Sequence, residues 1–407
     1  MKLTDKLELP CGVSLPNRLA KSAMSENMAS SDHIPGPEFP RAYQAWVDGG
    51  TGLIITGNVM VDSRHRGEPN NVVIEEGLDN HEQLKQWASV SKKSDSQIWV
   101  QLNHPGKQTP KYLTPEPVGP SAIPLAPPLD AMFNQCRELK DEEIKDIISR
   151  FAHAAEVCKQ VGFDGVQIHG AHGYLVSQFL SPRHNKREDH WGGTPEKRMN
   201  FVLEVYQAMR EKVGANYPIG IKINSADFSK GGFTPEEAIE VAKKLSESGI
   251  DLIELSGGSY EKPAMTGVKV KESTAKREAY FLEYAEAIKQ VAKCPVMVTG
   301  GFRTGEFMRE ALDNGSLDLI GLARPLCLNP NMSKQLLNGE PVNSEVRQLT
   351  SGIKAIDKAF PLEIIWYTMQ IHRLGQGLPP KPKAGVYGTI FKSALEVGLQ
   401  SLKRNRM

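Results

Sequence analysis

The chain has 407 residues, of which 40% are hydrophobic and 24% are charged, so a large core can be buried. Its 49 basic and 48 acidic residues give a formal net charge of +1. This balance argues against a nucleic-acid-binding protein, which needs a concentrated basic surface.

The N-terminal segment predicts a β-hairpin. Residues 6–18, KLELPCGVSLPNR, contain two short apolar runs around Pro10, Cys11 and Gly12, and we expect them to close the bottom of a barrel. The first residues carry scattered charges and lack the apolar core that is typical of a signal peptide. No apolar run in the chain approaches the ~20 residues needed to cross a bilayer. We therefore expect a cytoplasmic protein without membrane partners.

Eight short apolar runs follow along the chain, and helical patterns separate them. The runs are residues 18–24, 52–58, 97–103, 163–169, 218–224, 250–256, 295–300 and 317–323. Near-continuous apolar strands are typical of a parallel sheet that is buried on both faces. The pattern predicts an α/β fold, namely a (β/α)₈ TIM barrel with an N-terminal hairpin and a C-terminal helical extension. The alternative is a doubly wound open sheet, which is less consistent because no G-x-G-x-x-G turn follows the first strand.

Two intervening segments carry clear helix signals. Residues 142–161 place Ile144, Ile147 and Phe151 at helical spacing, which predicts an amphipathic helix. Thr234 followed by Pro235 is the pattern of an N-cap with proline in the first turn.

Two segments exceed a minimal barrel. The Pro-rich residues 104–139 follow the third strand, and we expect this insertion to cover the catalytic face as a lid. The tail contains FPLEIIWYTMQIHRLGQG (360–377) and ends in the basic SLKRNRM. We divide the chain into a barrel at 1–337 and an extension packed on it at 338–407. The five cysteines are widely spaced and form no C-x-x-C pair, which favours a reducing compartment.

The chemistry of such a barrel lies at the C-terminal ends of its strands. After strands seven and eight, Gly300, Gly301 and Arg324 stand where this fold usually binds phosphate, beside the N-terminus of a helix. The side-chain amide of Gln101 both donates and accepts hydrogen bonds, as binding of a flat heterocycle with alternating C=O and N–H groups requires. The alternative is that Gln101 only fills a polar layer inside the barrel. Lys222 requires an anionic partner, which is either a ligand or a carboxylate such as Glu254.

The fourth strand ends at His169, and His172 and Tyr174 follow it closely. Two histidines are too few ligands for a zinc site, so we predict no metal here. Histidines at a catalytic face beside a tyrosine are better explained as hydrogen-bond donors to a substrate oxygen.

Three motifs resemble the FMN-containing old yellow enzyme family of NAD(P)H-dependent ene-reductases. They are HGAHGYLVSQFLSPRHNKREDHWGGTPEKR (169–198), VTGGFRTGEF (298–307) and LARPLCLNP (322–330). The resemblance covers residues 3–335. It implies bound FMN, NADPH or NADH as reductant, and ping-pong reduction of activated C=C bonds in α,β-unsaturated carbonyl compounds. In this reaction hydride passes from flavin N5 to the β-carbon, and a tyrosine protonates the α-carbon.

The resemblance also implies a role for each matching position. Ser22, Ala23 and Ser25 would line the flavin, Gly57 would pack near its ring, and Gln101 and Lys222 would contact its pyrimidine part. Gly301, Ala323 and Arg324 would hold the phosphate. His169 and His172 would bind the substrate carbonyl oxygen, Tyr174 would be the proton donor, and Asn27 would contact substrate.

Three alternatives differ in class. A flavin–iron–sulfur dienoyl reductase needs a four-cysteine cluster after the barrel, and this alternative is rejected because Cys327 is the only cysteine beyond strand eight. A phosphate-binding aldolase or isomerase would use Lys222 in a Schiff base, without flavin. A non-catalytic FMN-binding protein would hold the cofactor without turning over alkenes. The sequence predicts a small-molecule substrate and is compatible with a homo-oligomer.

Overall fold

A computed structural model describes residues 1–261, 278–279, 281–347, 349–353, 357 and 362–391. Its strands are β1 (Leu7–Glu8), β2 (Ser14–Leu15), β3 (Leu19–Lys21), β4 (Leu53–Met60), β5 (Val72–Val73), β6 (Gln97–Asn103), β7 (Val118–Gly119), β8 (Arg137–Glu138), β9 (Gly165–Gly170), β10 (Ile219–Asn224), β11 (Leu252–Ser256), β12 (Val296–Thr299) and β13 (Leu319–Leu322). Its α-helices are α1 (Glu38–Asp48), α2 (His81–Ala88), α3 (Asp141–Val161), α4 (Leu175–Leu180), α5 (Pro195–Val213), α6 (Pro235–Glu247), α7 (Leu282–Lys289), α8 (Gly305–Asp313), α9 (Arg324–Leu328), α10 (Met332–Leu337) and α11 (Leu362–Gly375).

Eight parallel strands close into a barrel with helices between them. Neighbours pair in the order β3, β4, β6, β9, β10, β11, β12 and β13. Strand β3 pairs in parallel with both β13 and β4, which joins the two ends of the sheet. This closure confirms the (β/α)₈ prediction and excludes the doubly wound open sheet. Each predicted apolar run overlaps one barrel strand, because the strand interiors are buried on both faces.

The helix signals in the sequence correspond to observed helices. Helix α3 buries Ile144, Ile147 and Phe151 and is capped at its C-terminus by Gly162, whose φ of 98° suits glycine. At the start of α6, the N–H of Glu237 donates to Oγ1 of Thr234, and the N–H of Thr234 donates to Oε2 of Glu237. This reciprocal capping box satisfies two backbone donors that the helix itself leaves unpaired.

The N-terminal hairpin closes the bottom of the barrel, as predicted. Strands β1 and β2 pair in antiparallel register. Leu7 and Leu15 form one apolar cluster with barrel residues such as Trp99 and Leu319. The N–H of Cys11 donates to a carboxylate oxygen of Asp251 at 2.8 Å, which anchors the turn to the segment before β11.

Replacing Leu15 with Ala is expected to lower the free energy of unfolding by about 2–5 kcal/mol. Leu15 is fully buried, so the truncation leaves a cavity inside the barrel. Urea denaturation followed by circular dichroism measures the change. Leu378→Ala, at a leucine that is 45% exposed, is the matched control and should change stability by less than about 0.5 kcal/mol. Equal loss in both variants would contradict the assignment of the hairpin as a packed plug.

The described part of the C-terminal extension packs against the barrel. Helix α11 contacts α1 and α9. Oγ1 of Thr368 donates to the carbonyl of Ser25 at 3.2 Å, and Nε2 of His372 lies 2.7 Å from the carbonyl of Glu26. The boundary at 337/338 stays a prediction, and the basic stretch SLKRNRM lies outside the described residues.

The insertion at 104–139 contains β7 and β8, which pair with each other. It contacts the segment after β11, because the N–H of Ala126 donates to Glu261 at 2.7 Å and the ring of Phe133 lies 6.3 Å from that of Tyr260. Its function as a lid stays a prediction. Across the ranges that the structure covers, no helix combines the length and apolar character that a membrane crossing requires.

Candidate active site

A cavity of about 520 Å³ opens at the C-terminal ends of the barrel strands. It brings together most of the predicted site residues, although they are far apart in sequence. These are Ser22, Ala23, Ser25, Gln101, His169, His172, Tyr174, Lys222, Gly301, Ala323 and Arg324. Parallel strands converge at one end of a barrel, so residues that follow different strands share one space. None of the lining residues found among the described ranges comes from the insertion at 104–139.

Two predicted residues lie outside this lining. The N–H of Gly57 donates to Oε1 of Glu26 at 2.7 Å, and a Cβ at position 57 would lie 2.2 Å from the other carboxylate oxygen. Glycine is therefore required there by close packing. Asn27 adopts a φ of 48° and accepts a hydrogen bond from the N–H of Asn70 at 2.9 Å. The cofactor role of Gly57 and the substrate role of Asn27 stay predictions that the cavity geometry does not strengthen.

The floor of the cavity contains a buried ion pair. Nζ of Lys222 lies 2.9 Å from Oε1 of Glu254 and donates to Oγ of Ser22 at 2.9 Å. The side chains of Lys222 and Glu254 are 3% and 0% exposed. Burial raises the pKa of Glu254, but the charge of Lys222 and hydrogen bonds outweigh it, so the pKa lies below its usual value. The sequence left the anionic partner of Lys222 open between a ligand and Glu254, and in the structure Glu254 pairs with it.

This ion pair is part of a hydrogen-bonded network across the barrel interior. The amide of Gln101 donates to Gln167 at 2.7 Å, and Gln167 donates to Glu254 at 2.7 Å. Oγ1 of Thr299 also donates to Glu254, at 2.6 Å. Gln101 keeps its carbonyl oxygen and one amide hydrogen for a ligand. Sequence reasoning missed Gln167 and Thr299, although a glutamine within the apolar run 163–169 was a usable signal.

His169, His172 and Tyr174 form a cluster at the end of β9. The ring of His169 lies 5.1 Å from that of His172 and 4.8 Å from that of Tyr174. The N–H of Ala171 donates to Nδ1 of His169 at 3.3 Å, which leaves the ring proton on Nε2. His172 has a φ of 61°, and its Nε2 lies 2.8 Å from Oγ of Ser256. The backbone turn thus presents both imidazoles to the same space.

The protonation states of this cluster follow from its burial. Burial and then the charge of Lys222 lower the pKa of His172 to about 3. Burial, His172 and Lys222 hold the pKa of His169 well below its usual value. Burial raises the pKa of Tyr174 to about 12. At neutral pH the cluster therefore contains two neutral imidazoles and one protonated phenol.

The cavity lining also includes residues that were not predicted as site residues from the sequence, among them Asn58, Glu68 and Tyr260. The hydroxyl of Tyr260 lies 2.8 Å from that of Tyr174. The hydroxyl of Ser25 donates to the carboxyl of Glu68, and burial raises the pKa of that carboxyl. Oδ1 of Asn58 is buried and has no hydrogen-bond partner among the described residues. Such an unsatisfied acceptor suits a ligand that donates an N–H or O–H group.

The opposite end of the cavity is rich in anion-binding groups. Gly300 and Gly301 have φ values of 119° and 90°, which allow their backbone to approach a ligand closely. Arg324 forms an ion pair with Glu363. The N–H groups of Arg303 and Thr304 donate to Glu278 at 2.7 and 3.0 Å. Of the residues that the sequence predicted to bind phosphate, Arg324 is thus already paired with a carboxylate from another segment.

One group of potential metal ligands lies elsewhere. Asp62, His65 and His104 place ligand-type atoms within 4.8 Å of one another. Arg64 forms a bidentate pair with Asp62, at 2.9 and 2.7 Å. The N–H of Gly106 donates to Nδ1 of His104 at 3.1 Å, so the ring proton lies on Nε2 and blocks that nitrogen as a ligand. We assign no metal to this group, and the metal-free site stays a prediction.

The lining residues fit FMN. The volume of the cavity falls within the range of ~300–1,000 Å³ that is usual for small-molecule sites. At one end Gln101 and Asn58 offer polar atoms to a flat ring, and at the other end Arg324 and two glycines with positive φ suit a phosphate. Lys222 adds a buried cation to the lining.

Comparison with known proteins agrees with this fit. The family model described as the NADH:flavin oxidoreductase / NADH oxidase family matches residues 11–343. A similar protein is the NADH-dependent flavin oxidoreductase nadA of Aspergillus parasiticus, at 40% identity over 341 residues, covering 80% of this chain and 76% of the relative. Another is the NADH-dependent flavin oxidoreductase iliE of Hypocrea jecorina, at 35% identity over 375 residues, covering 86% and 92%.

A solved structure supports the same fold. The old yellow enzyme homologue from Zymomonas mobilis aligns with a TM-score of 0.71 at 23% identity, covering 85% of this chain and 95% of that one. The cavity, its anion-binding end and the match over most of the chain lead to one conclusion. The chain belongs to the NADH:flavin oxidoreductase / NADH oxidase family, as an FMN-dependent NAD(P)H oxidoreductase with the fold of the old yellow enzyme homologue.

Proposed function

We propose that this protein reduces the activated C=C bond of α,β-unsaturated carbonyl compounds, with NAD(P)H as reductant. The observation that carries the proposal is the cluster of His169, His172 and Tyr174, which combines neutral N–H donors with a protonated phenol in one cavity. An enone needs both functions, because negative charge develops on its oxygen while its α-carbon takes up a proton.

The histidines would bind and polarise the substrate carbonyl. Nε2 of His169 carries a proton that can be donated to the carbonyl oxygen, and His172 lies beside it. Loss of one such donor typically costs about 10²- to 10³-fold in rate. Bound FMN would supply the redox chemistry, by accepting hydride from NAD(P)H and passing it to the β-carbon.

Tyr174 would protonate the α-carbon. Its phenol is buried and remains protonated at neutral pH, so it is available as a general acid. The remaining proposed roles concern the cofactor. Ser22, Ala23, Ser25, Gln101 and Lys222 would contact the flavin, and Gly301, Ala323 and Arg324 its phosphate.

The test is the visible spectrum of the purified full-length protein. We expect a yellow protein that bleaches when NADH or NADPH is added without oxygen, and that recolours when cyclohexenone follows. Both nucleotides are tested as reductants, because similar proteins include an NADH-dependent flavin oxidoreductase and an NADPH dehydrogenase. Bleaching without recolouring would reject the enone as substrate while the FMN site stands. The protein would then be either a non-catalytic flavoprotein or an enzyme whose reduced flavin passes its electrons to another acceptor.

The aldolase or isomerase alternative is weaker. A Schiff-base lysine must be deprotonated to attack a carbonyl, but Lys222 lies 2.9 Å from an ionised Glu254. Borohydride trapping of Lys222 with a carbonyl substrate would revive that alternative. Cytoplasmic location and homo-oligomer formation stay predictions.

A further inference from the structure

The anion-binding end of the cavity has a wall that comes from the C-terminal extension. Glu363, Ile364, Tyr367 and Thr368 of α11 line the cavity together with Arg324. The family match ends at residue 343, so this wall lies outside the part of the chain that the family model describes.

The carboxylate of Glu363 is held against Arg324. The two side chains form an ion pair and are 12% and 22% exposed. The guanidinium also lies 5.9 Å from the ring of Tyr367, in a cation–π arrangement. Because Thr368 and His372 bond to the carbonyls of residues 25 and 26, α11 is fixed on the barrel and Glu363 stays near Arg324.

A phosphate at this end would have to share Arg324 with that carboxylate. Arginine has several N–H donors and can contact two anions, but the anions still repel each other in a partly buried site. A second carboxylate, Glu278, already engages two backbone N–H groups of the neighbouring loop. Protein carboxylates therefore already engage Arg324 and two backbone N–H groups at this end before any ligand enters.

We propose that Glu363 sets the affinity for FMN, by competing with the cofactor phosphate for Arg324. The carboxylate stabilises the arrangement of α11 and Arg324 in the cofactor-free protein, and it weakens phosphate binding by charge repulsion.

The experiment is a titration of full-length apoprotein with FMN, followed by the quenching of flavin fluorescence. Glu363→Gln removes the charge and keeps the shape, so we expect the Kd for FMN to fall about tenfold, as for the loss of one charge repulsion. Riboflavin lacks the phosphate, and its Kd should not change. Glu82→Gln, at an exposed glutamate on α2, is the control and should affect neither ligand.

Two results would overturn the proposal. One is an unchanged or weaker affinity for FMN in Glu363→Gln. The other is an equal change for riboflavin, since that would assign Glu363 to the shape of the wall and not to the phosphate. Glu363→Ala repeats the measurement in case the glutamine variant is poorly folded. Inorganic phosphate, as a competitor of FMN, should also bind more tightly to either variant than to the unmodified protein.

Discussion

Tyr174→Phe is expected to slow the reduction of an enone by about 10²- to 10⁴-fold, the usual contribution of a positioned general acid. The reduction of bound FMN by NAD(P)H needs no protein proton donor, so it should stay within about twofold. Stopped-flow absorbance separates the two half-reactions, because the flavin bleaches in the first and recolours in the second.

The pH dependence gives a second measure of the same residue. Burial raises the pKa of Tyr174 to about 12, from an ordinary value of about 10. The acid form therefore persists through the range where an exposed tyrosine would ionise. The rate of enone reduction should show no fall near pH 10 that is due to this phenol.

Tyr206→Phe is the matched control. Its hydroxyl donates to the carbonyl of Ser248, and Tyr206 does not line the cavity. Both half-reactions should be unchanged in that variant. If Tyr174→Phe slowed flavin reduction as much as enone reduction, the residue would act on cofactor binding, and its assignment as proton donor would be wrong.

Lys222→Met is expected to lower the free energy of unfolding by about 3–5 kcal/mol, the typical cost of breaking a buried ion pair on one side. Glu254 would be left as an unpaired carboxylate inside the barrel. Its pKa in the folded state would rise above that in the unfolded state. The loss of stability should then be small at acidic pH, where the carboxyl is protonated in both states, and should grow as the pH rises through the carboxyl range.

The double variant Lys222→Met/Glu254→Gln separates stability from function. It contains no buried charge at this pair, so most of the lost stability should return. The cation that we propose as a flavin contact remains absent, so FMN reduction by NAD(P)H should stay impaired. Urea denaturation at two pH values and stopped-flow reduction measure these effects. A double variant as unstable as the single one would show that the ion pair is not the cause.

An exposed ion pair provides the comparison. Nζ of Lys212 lies 3.2 Å from Glu156, and the two side chains are 52% and 33% exposed. Lys212→Met should change stability by less than about 1 kcal/mol, because solvent screens such pairs. The contrast between the two lysines tests whether burial is the physical reason for the large effect at Lys222.

The sequence by itself determined the barrel. Eight apolar runs, the helix start at Thr234 and Pro235 and the hairpin at 6–18 are local patterns, and each one matches an observed element. It also located the fourth strand end, where His169, His172 and Tyr174 lie close together in the chain. Local backbone preference and periodic burial depend on residues that are close in sequence, so the helices and strands they produce can be predicted from the sequence.

Only the tertiary structure decided which distant residues meet. It joined Gln167 and Thr299 to Glu254, brought Glu363 to Arg324, and left Gly57 and Asn27 outside the lining. These partners belong to different strands or to the extension, and no spacing within one segment encodes them. Strand closure and helix packing set such distances, so the contacts of Gln167, Thr299 and Glu363 could not be predicted before the fold was known.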